Sequence, residues 1–334
     1  MMKKWLAFLL ALSCLLSLCA CGTEKENGEY VTVYLPSEVV YGYGYTNTYT
    51  YNGNGNQTSM TETKDGKETS RTTYTYDDSG NRTESVEYKN GEETCRYVYA
   101  YDENGNTAGV FLYEDGEEIS RQTYAYDKDG NQTEICYYAN GKERNRTTFT
   151  YDKTGNLIEE STYVDGEKVS CITYVHNEET NTVTEYHRAG IELTLHNIMM
   201  ITYDERDRAI RKAQYALDDA DRLEDAEPKY LDTYVYEGDK QVEYTRYFKG
   251  ELKTHETKKY NEQGDTVSII HIVYDAGHEY KRDVYEYEYT YDEEGNIIQK
   301  ACYLNGEFEE RSSWTCTYIA VRMTRKRAEE LGYI

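Results

Sequence analysis

The stretch Tyr126-Asp127-Lys128-Asp129-Gly130-Asn131 sets three oxygen-bearing side chains, Asp127, Asp129 and Asn131, at alternate positions. Alternating carboxylate and amide oxygens ahead of a glycine are the chemistry of a calcium loop. The spacing does not complete such a loop. An EF-hand puts its glycine sixth and a bidentate Glu twelfth, whereas here Gly130 is fourth and the twelfth residue is Tyr138. One turn alone offers too few oxygens for a cation that takes six to eight, although stacked turns could pool theirs along an edge. The competing reading is a turn between two strands, bent at Gly130.

Catalytic patterns are sparse. None of the histidines, His176, His187, His196, His255, His271 and His278, stands in H-E-x-x-H. No G-x-S-x-G elbow occurs, and no Cys–His pair is suggested by spacing. The chain holds 62 acidic residues, so some carboxylate pair always exists and counting leaves a glycosidase open. Beyond Cys21, Cys95, Cys136, Cys171, Cys302 and Cys316 are odd in number, and their spacing fits neither a zinc site nor a compact disulfide framework. They are expected to be buried or half-buried thiols in strands. No catalytic, metal or cofactor residue is assigned.

The elements that hold these residues repeat. Tyr-Asp-x-x-Gly-Asn begins at Tyr76, Tyr101, Tyr126 and Tyr151, a constant interval of 25 residues, with a variant at Tyr51 and a decayed copy at His176. A fixed period of this length means stacked units that cannot bury a face alone. Twelve residues after each motif Tyr comes another Tyr, then Asn90-Gly91, Asp115-Gly116, Asn140-Gly141 or Asp165-Gly166. Such dipeptides signal type I′ hairpins, which need positive φ at both central residues. Asp-x-x-Gly suits a type I turn closed by a left-handed Gly with a bulge. Each unit therefore reads strand, Asp turn, strand, Asn-Gly turn. The array loosens after His176, resumes at Tyr203, and is interrupted by the acidic insertion Leu217–Pro228, a short helix or a projecting loop. It continues at Tyr236, Tyr260 and Tyr291 and ends in a short helix near Arg322–Leu331.

Strand alternation predicts the faces. Tyr88, Cys95, Tyr97, Tyr99 and Tyr101 share one, expected to be the packed one. Arg71, Arg96, Arg121 and Arg146 form a column on the other. A loop at Asn90-Gly91 places Ser85 opposite Arg96 and Tyr88 opposite Glu93. This resolves a conflict in composition. Leu, Ile, Val and Phe make up only about 15% of the chain from Cys21 onward, a disorder-prone level at high net charge, yet there are 39 Tyr. Tyr and Thr replace aliphatic residues in a thin, semi-wet core.

The N-terminus reads as a targeting segment. Lys3 and Lys4 precede the apolar run Trp5–Leu18, and Leu18-Cys19-Ala20-Cys21 looks like a bacterial lipobox. By that resemblance Cys21 becomes the mature N-terminus and carries a two-chain lipid, a stable anchor. The formal charge of −25 argues against nucleic acid and against anionic membrane surfaces, which demand a basic patch. The one basic cluster, Arg322–Arg327, reads as a solvated helix.

The recurrent Tyr-Asp-x-x-Gly-Asn between Tyr-rich strands, over roughly Tyr51–Tyr318, resembles the YD repeat of the RHS family. The resemblance implies an extracellular β-strand array, often a spiral shell or barrel-like wall; large members enclose a toxin or serve adhesion. Here the period is longer than usual, Asn follows Gly where the family often has Arg, and no toxin region follows. The encapsulating role is not carried over.

The resulting expectation is all-β: a continuous antiparallel meander of about 25-residue hairpin repeats, curled or closed into a barrel or shell, with a short C-terminal helix. It divides into signal peptide 1–20, lipidated Cys21 and tether with a first strand to 42 (Pro36 at an edge), repeat domain 43–320 with the insertion 217–228, and cap 321–334. The expected role is a non-enzymatic, lipid-anchored module of the bacterial envelope that binds glycan or protein and not nucleic acid. The alternatives are an envelope spacer without ligand, or a glycan-active hydrolase.

Overall fold

The computed structural model describes residues 23–25, 30–190, 192–217, 223 and 226–333; the signal segment and Cys21 lie outside them. Each sequence turn becomes a turn of one antiparallel meander. β1 (Thr23–Lys25) pairs with β2 (Tyr30–Tyr41), and β2 leads into β3 (Tyr45–Tyr51), β4 (Gln57–Lys64) and so on, strand beside next strand, to β22 (Ile297–Leu304). A two-residue β23 (Glu307–Phe308) and a 3-10 turn (Glu310–Ser312) precede β24 (Trp314–Thr324) and α1 (Arg325–Glu330).

The meander closes. β24 pairs with β2 from Tyr30–Thr324 to Tyr41–Trp314, and meets β22 at Gln299–Thr315 and Lys300–Trp314. The result is a 22-stranded barrel with β1 and β23 as accessories. Closure removes the unpaired edges that so many strands would otherwise expose. The turns form two rims. On the Asn-Gly rim both turn residues have positive φ, 51° at Asn90 and 86° at Gly91, as a type I′ hairpin requires. On the Asp rim a single residue does in each regular turn, the Gly (83° at Gly130) or, in the Asp204 turn, Asp207 (58°).

Pairing corrects the expected faces. Tyr88 does lie opposite Glu93, but Glu87 pairs with Cys95, which leaves Thr94 as a bulge. One extra residue flips everything beyond it to the other face. Ser85 therefore meets Tyr97 instead of Arg96, and Tyr88 joins the arginine face. Pro36 sits in β2 beside Tyr318, next to a bulge before Glu38, and its other flank pairs with neither β1 nor β3, so it stands at a local edge as expected. A bulge tolerates a residue that has no N–H to give the ladder.

The wall is one layer thick. The chain exposes 21543 Å², against roughly 14,000 Å² for a compact chain of this length. Well-buried apolar clusters are local. Val31, Val33, Leu35 and Met323 cover Ala328 of α1, and Val39, Trp314 and Cys316 close the seam. Elsewhere most strand residues are half-buried on both faces.

Candidate functional site

The Asp turns come first, because their oxygens suggested cation chemistry. Asp127 Oδ1 accepts from the main-chain N–H of Asp129 and of Asn131, both at 2.9 Å, and Oδ2 accepts from Asn131 Nδ2 at 3.0 Å. Asp102, Asp152 and Asp292 repeat the pattern with Asn106, Asn156 and Asn296, and Asp77 with Asn81. In the Asp204 turn Arg208 replaces the Asn, donating through its main-chain N–H and its Nε. There Asp207, with φ of 58°, stands at the Gly position; either Asn or Arg closes the turn, since both return a side-chain donor to the Asp. The amide donors hold the carboxyls of Asp77, Asp102 and Asp127 below the usual range, the Asn side chain contributing most. Asp152, held chiefly by Thr154, falls to about 2. These lone pairs serve the turn, and among the described residues no three His, Cys, Asp or Glu side chains gather as a metal site.

The motif tyrosines link the units. Tyr76, Tyr101, Tyr126 and Tyr151 donate their hydroxyls to the carbonyls of Gln57, Arg82, Thr107 and Gln132, at 2.7–3.0 Å. In each case the acceptor opens the strand after the preceding Asp turn. His176, the decayed copy, places Nε2 2.8 Å from the Leu157 carbonyl in the same geometry.

The two faces differ in enclosure. Burial raises the hydroxyls of Tyr49, Tyr74, Tyr97, Tyr124 and Tyr151, all on the Tyr97 face, which is therefore the more enclosed one. On the other face the arginine column stacks on tyrosines of the following strands. Arg71 lies over Tyr88, Arg121 over Tyr138 and Arg146 over Tyr163, at 4.3–5.1 Å from the ring centres. Glutamates complete the column, with Arg96 held by both Glu84 and Glu93.

Two groups were not legible from motifs. On the enclosed face Tyr174 donates to Glu160 at 3.3 Å, beside a His187–Glu185 pair at 2.9 Å. Register brings them together: Glu160 opposes Ile172, Ile172 opposes His187, and Tyr174 opposes Glu185. Burial raises the Glu160 carboxyl. His255–Glu243 and His271–Glu256 are further pairs. The thiols Cys136, Cys171, Cys302 and Cys316 are buried and Cys95 is half-buried. Burial lifts Cys95, Cys136 and Cys316 to about 11, a range in which thiols are inert.

The second group is the Asn-Gly rim. Tyr43, Tyr230, Tyr280 and Phe308 are exposed there, Tyr280 by 77%. Tyr41, Tyr43 and Tyr45 run as a ladder with centroids 5.7 and 5.1 Å apart, Tyr230 meets Phe248 at 4.8 Å, and Tyr303 meets Phe308 at 5.8 Å. The insertion belongs to this rim as well. Its described residues do not simply project: Leu223 and Ala226 pack on Ile198, Ala213 and Tyr215 of the arginine face.

Residues 126–168 match the family model described as RHS Repeat. No curated protein matches the chain. Among solved structures, a TcdB2-TccC3 crystal structure aligns at 13% identity and TM-score 0.41 over 84% of this chain and 16% of that one. The Photorhabdus luminescens Tc holotoxin pore aligns at 12% and 0.31 over 91% and 20%. A porin-like protein of Bacteroides uniformis aligns at 13% and 0.25 over 90% and 93%. The chain thus spans about a fifth or less of the two toxin chains, and at these scores the likeness carries no argument. The repeats themselves carry the family likeness: residues 126–168 form an RHS-type repeat, in register with the Tyr-Asp copies that begin at Tyr76, Tyr101 and Tyr151.

Proposed function

We propose that the chain is a lipid-anchored, non-enzymatic interaction or adhesion module held outside a bacterial cell, and that it engages glycan or protein through the Asn-Gly rim. The supporting observation is where its exposed rings collect. Four of the five exposed aromatic rings among the described residues, Tyr43, Tyr230, Tyr280 and Phe308, lie on that rim, the fifth being Tyr30 at the other end, where the motif tyrosines are committed to backbone carbonyls. Amphipathic rings with free faces stack on sugars and anchor protein interfaces at low entropic cost. Lys64 over Tyr45 and Lys249 over Phe248 add cations beside them. A glycan-array and pull-down screen of the lipidated chain tests the reading. Saturable binding that weakens at least tenfold in Tyr43→Ser/Tyr280→Ser/Phe308→Ser supports it, each tenfold step being about 1.4 kcal/mol.

A spacer without ligand is the second reading, favoured by the regular one-layer wall, and a screen with no saturable binder selects it. A hydrolase reading draws first on Glu160, Tyr174, Glu185 and His187, which register brings together. Glycan release that is lost in Glu160→Gln would replace the binding reading.

A further inference from the structure

A lipid at Cys21 would tether the barrel without saying which end faces the bilayer. The first and last strands supply that polarity. β2 starts at Tyr30, opposite Thr324, and runs toward the Asn-Gly rim. β3 pairs with it only at Glu38–Val40, and Tyr51, the last residue of β3, donates to the Pro36 carbonyl at 2.8 Å. Tyr30–Tyr34 and Ala320–Thr324 therefore continue past that point as a two-stranded arm beside the Asn52–Asn56 turn of the Asp rim. α1 folds back on this turn: Arg327 Nη2 donates to Asn56 Oδ1 at 2.5 Å and Tyr333 to the Gly55 carbonyl at 3.3 Å. β1 lies along Val31–Val33. Its first residue, Thr23, follows Cys21 by two positions, a reach of at most about 7 Å.

The arm differs chemically from the rest of this acidic chain. Arg322, Arg325 and Lys326 are exposed within five positions. The Lys326 side chain is 86% exposed, with one 3.6 Å contact to Glu330. Among the described residues no ion pair holds Arg325. Arg322 stacks 4.8 Å over the Tyr30 ring, itself 41% exposed. Cations beside an exposed tyrosine are the composition of a surface at headgroup level. The acids nearby are Glu329, Glu330 (held by Arg327 at 3.2 Å) and Asp78, which lines a shallow pocket with Lys326, Arg327 and Glu330. The Asp rim itself presents acids such as Asp78, Glu103 and Asp129, which an anionic surface repels.

We propose that the arm, through Arg322, Arg325, Lys326 and Tyr30, docks on the phosphate headgroups of an anionic bilayer. The Asp rim is then held toward the membrane and the aromatic Asn-Gly rim away from it. The orientation rests on the Cys21 anchor of the proposed function; the docking charge is independent of it. The chain's net charge had argued against such a surface, but a sum over the chain does not describe a local patch. Each basic residue strengthens attachment roughly fivefold at low salt, and salt screens the gain.

The test uses the full lipidated chain with vesicles of phosphatidylcholine alone and of phosphatidylcholine containing one-third phosphatidylglycerol. Flotation is followed together with hydrogen exchange over residues 318–330. The expected result is flotation with both vesicles, and slowed exchange only on the anionic ones. High salt and Arg325→Ser/Lys326→Ser, at two exposed positions, should each abolish the protection. Flotation with both and equal exchange on both overturns the docking. Flotation with anionic vesicles alone overturns the lipid anchor and leaves the docking standing. Flotation with neither overturns both.

Discussion

Tyr126 donates its hydroxyl to the main-chain carbonyl of Thr107, 3.0 Å away and one unit earlier in the wall. The bond couples the Asp turn of one unit to the strand leaving the turn before it. Tyr126→Phe keeps the ring and removes only this bond. The expected cost is about 1 kcal/mol, the net worth of an ordinary hydrogen bond, read as a lower urea midpoint at unchanged m-value. An unchanged midpoint would show the hydroxyl to be incidental.

The Asp turns predict acid sensitivity. Asp77, Asp102, Asp127 and Asp152 have carboxyls held below their ordinary range, Asp152 at about 2. A depressed folded pKa contributes stability that is present above the unfolded pKa, about 3.9, and lost as pH falls through the folded value. Thermal midpoints should drop between about pH 4 and pH 2. Asp127→Asn keeps an acceptor, as Asn52 does in the first turn. It should fold normally and soften the drop, while Asp127→Ala should destabilise at every pH.

Glu160 has the opposite sign. Burial raises its folded pKa, so the folded state holds its proton more tightly. Its destabilising effect is absent below the unfolded pKa, grows as pH rises, and is complete above the folded value. Glu160→Gln should match the parent in denaturant melts near pH 4 and exceed it at pH 8. Equal stability at both would contradict the burial.

Gly91 carries φ of 86° within a two-residue turn, where a side chain is strained. Gly91→Ala should cost about 1 kcal/mol, whereas Gly53→Ala, at a glycine without positive φ and with open space around it, should be neutral in the same melt.

Arg121 lies 4.3 Å over Tyr138. A double-mutant cycle with Arg121→Gln and Tyr138→Leu should give a coupling of about 0.5–1 kcal/mol. A coupling near zero would make the column decorative.

Much of this was legible in the residues. The 25-residue spacing from Tyr76 to Tyr151, Asn90-Gly91 with its successors, and the Asp-x-x-Gly turns gave the strand order and both rims, because turn chemistry is local. The thiols were expected in strands and lie there. The faces were less legible. The bulge at Thr94 moved Tyr88 to the arginine face, and no residue type at that site announces an unpaired position. The group Glu160, Tyr174, Glu185 and His187 was invisible for a related reason: its members come from three strands and meet only through register.

The sequence by itself determined a meander of RHS-like units, since each hairpin is specified by a few adjacent residues whose φ preferences leave little choice. Only the tertiary structure decided that the meander closes, through β24 beside β2, nearly three hundred residues apart. It also decided that most exposed aromatic rings gather on one rim while the basic arm, with Tyr30, lies at the other. Closure depends on how small twists add over twenty-two strands, and on which distant edges that sum brings together; no short stretch of chain encodes either.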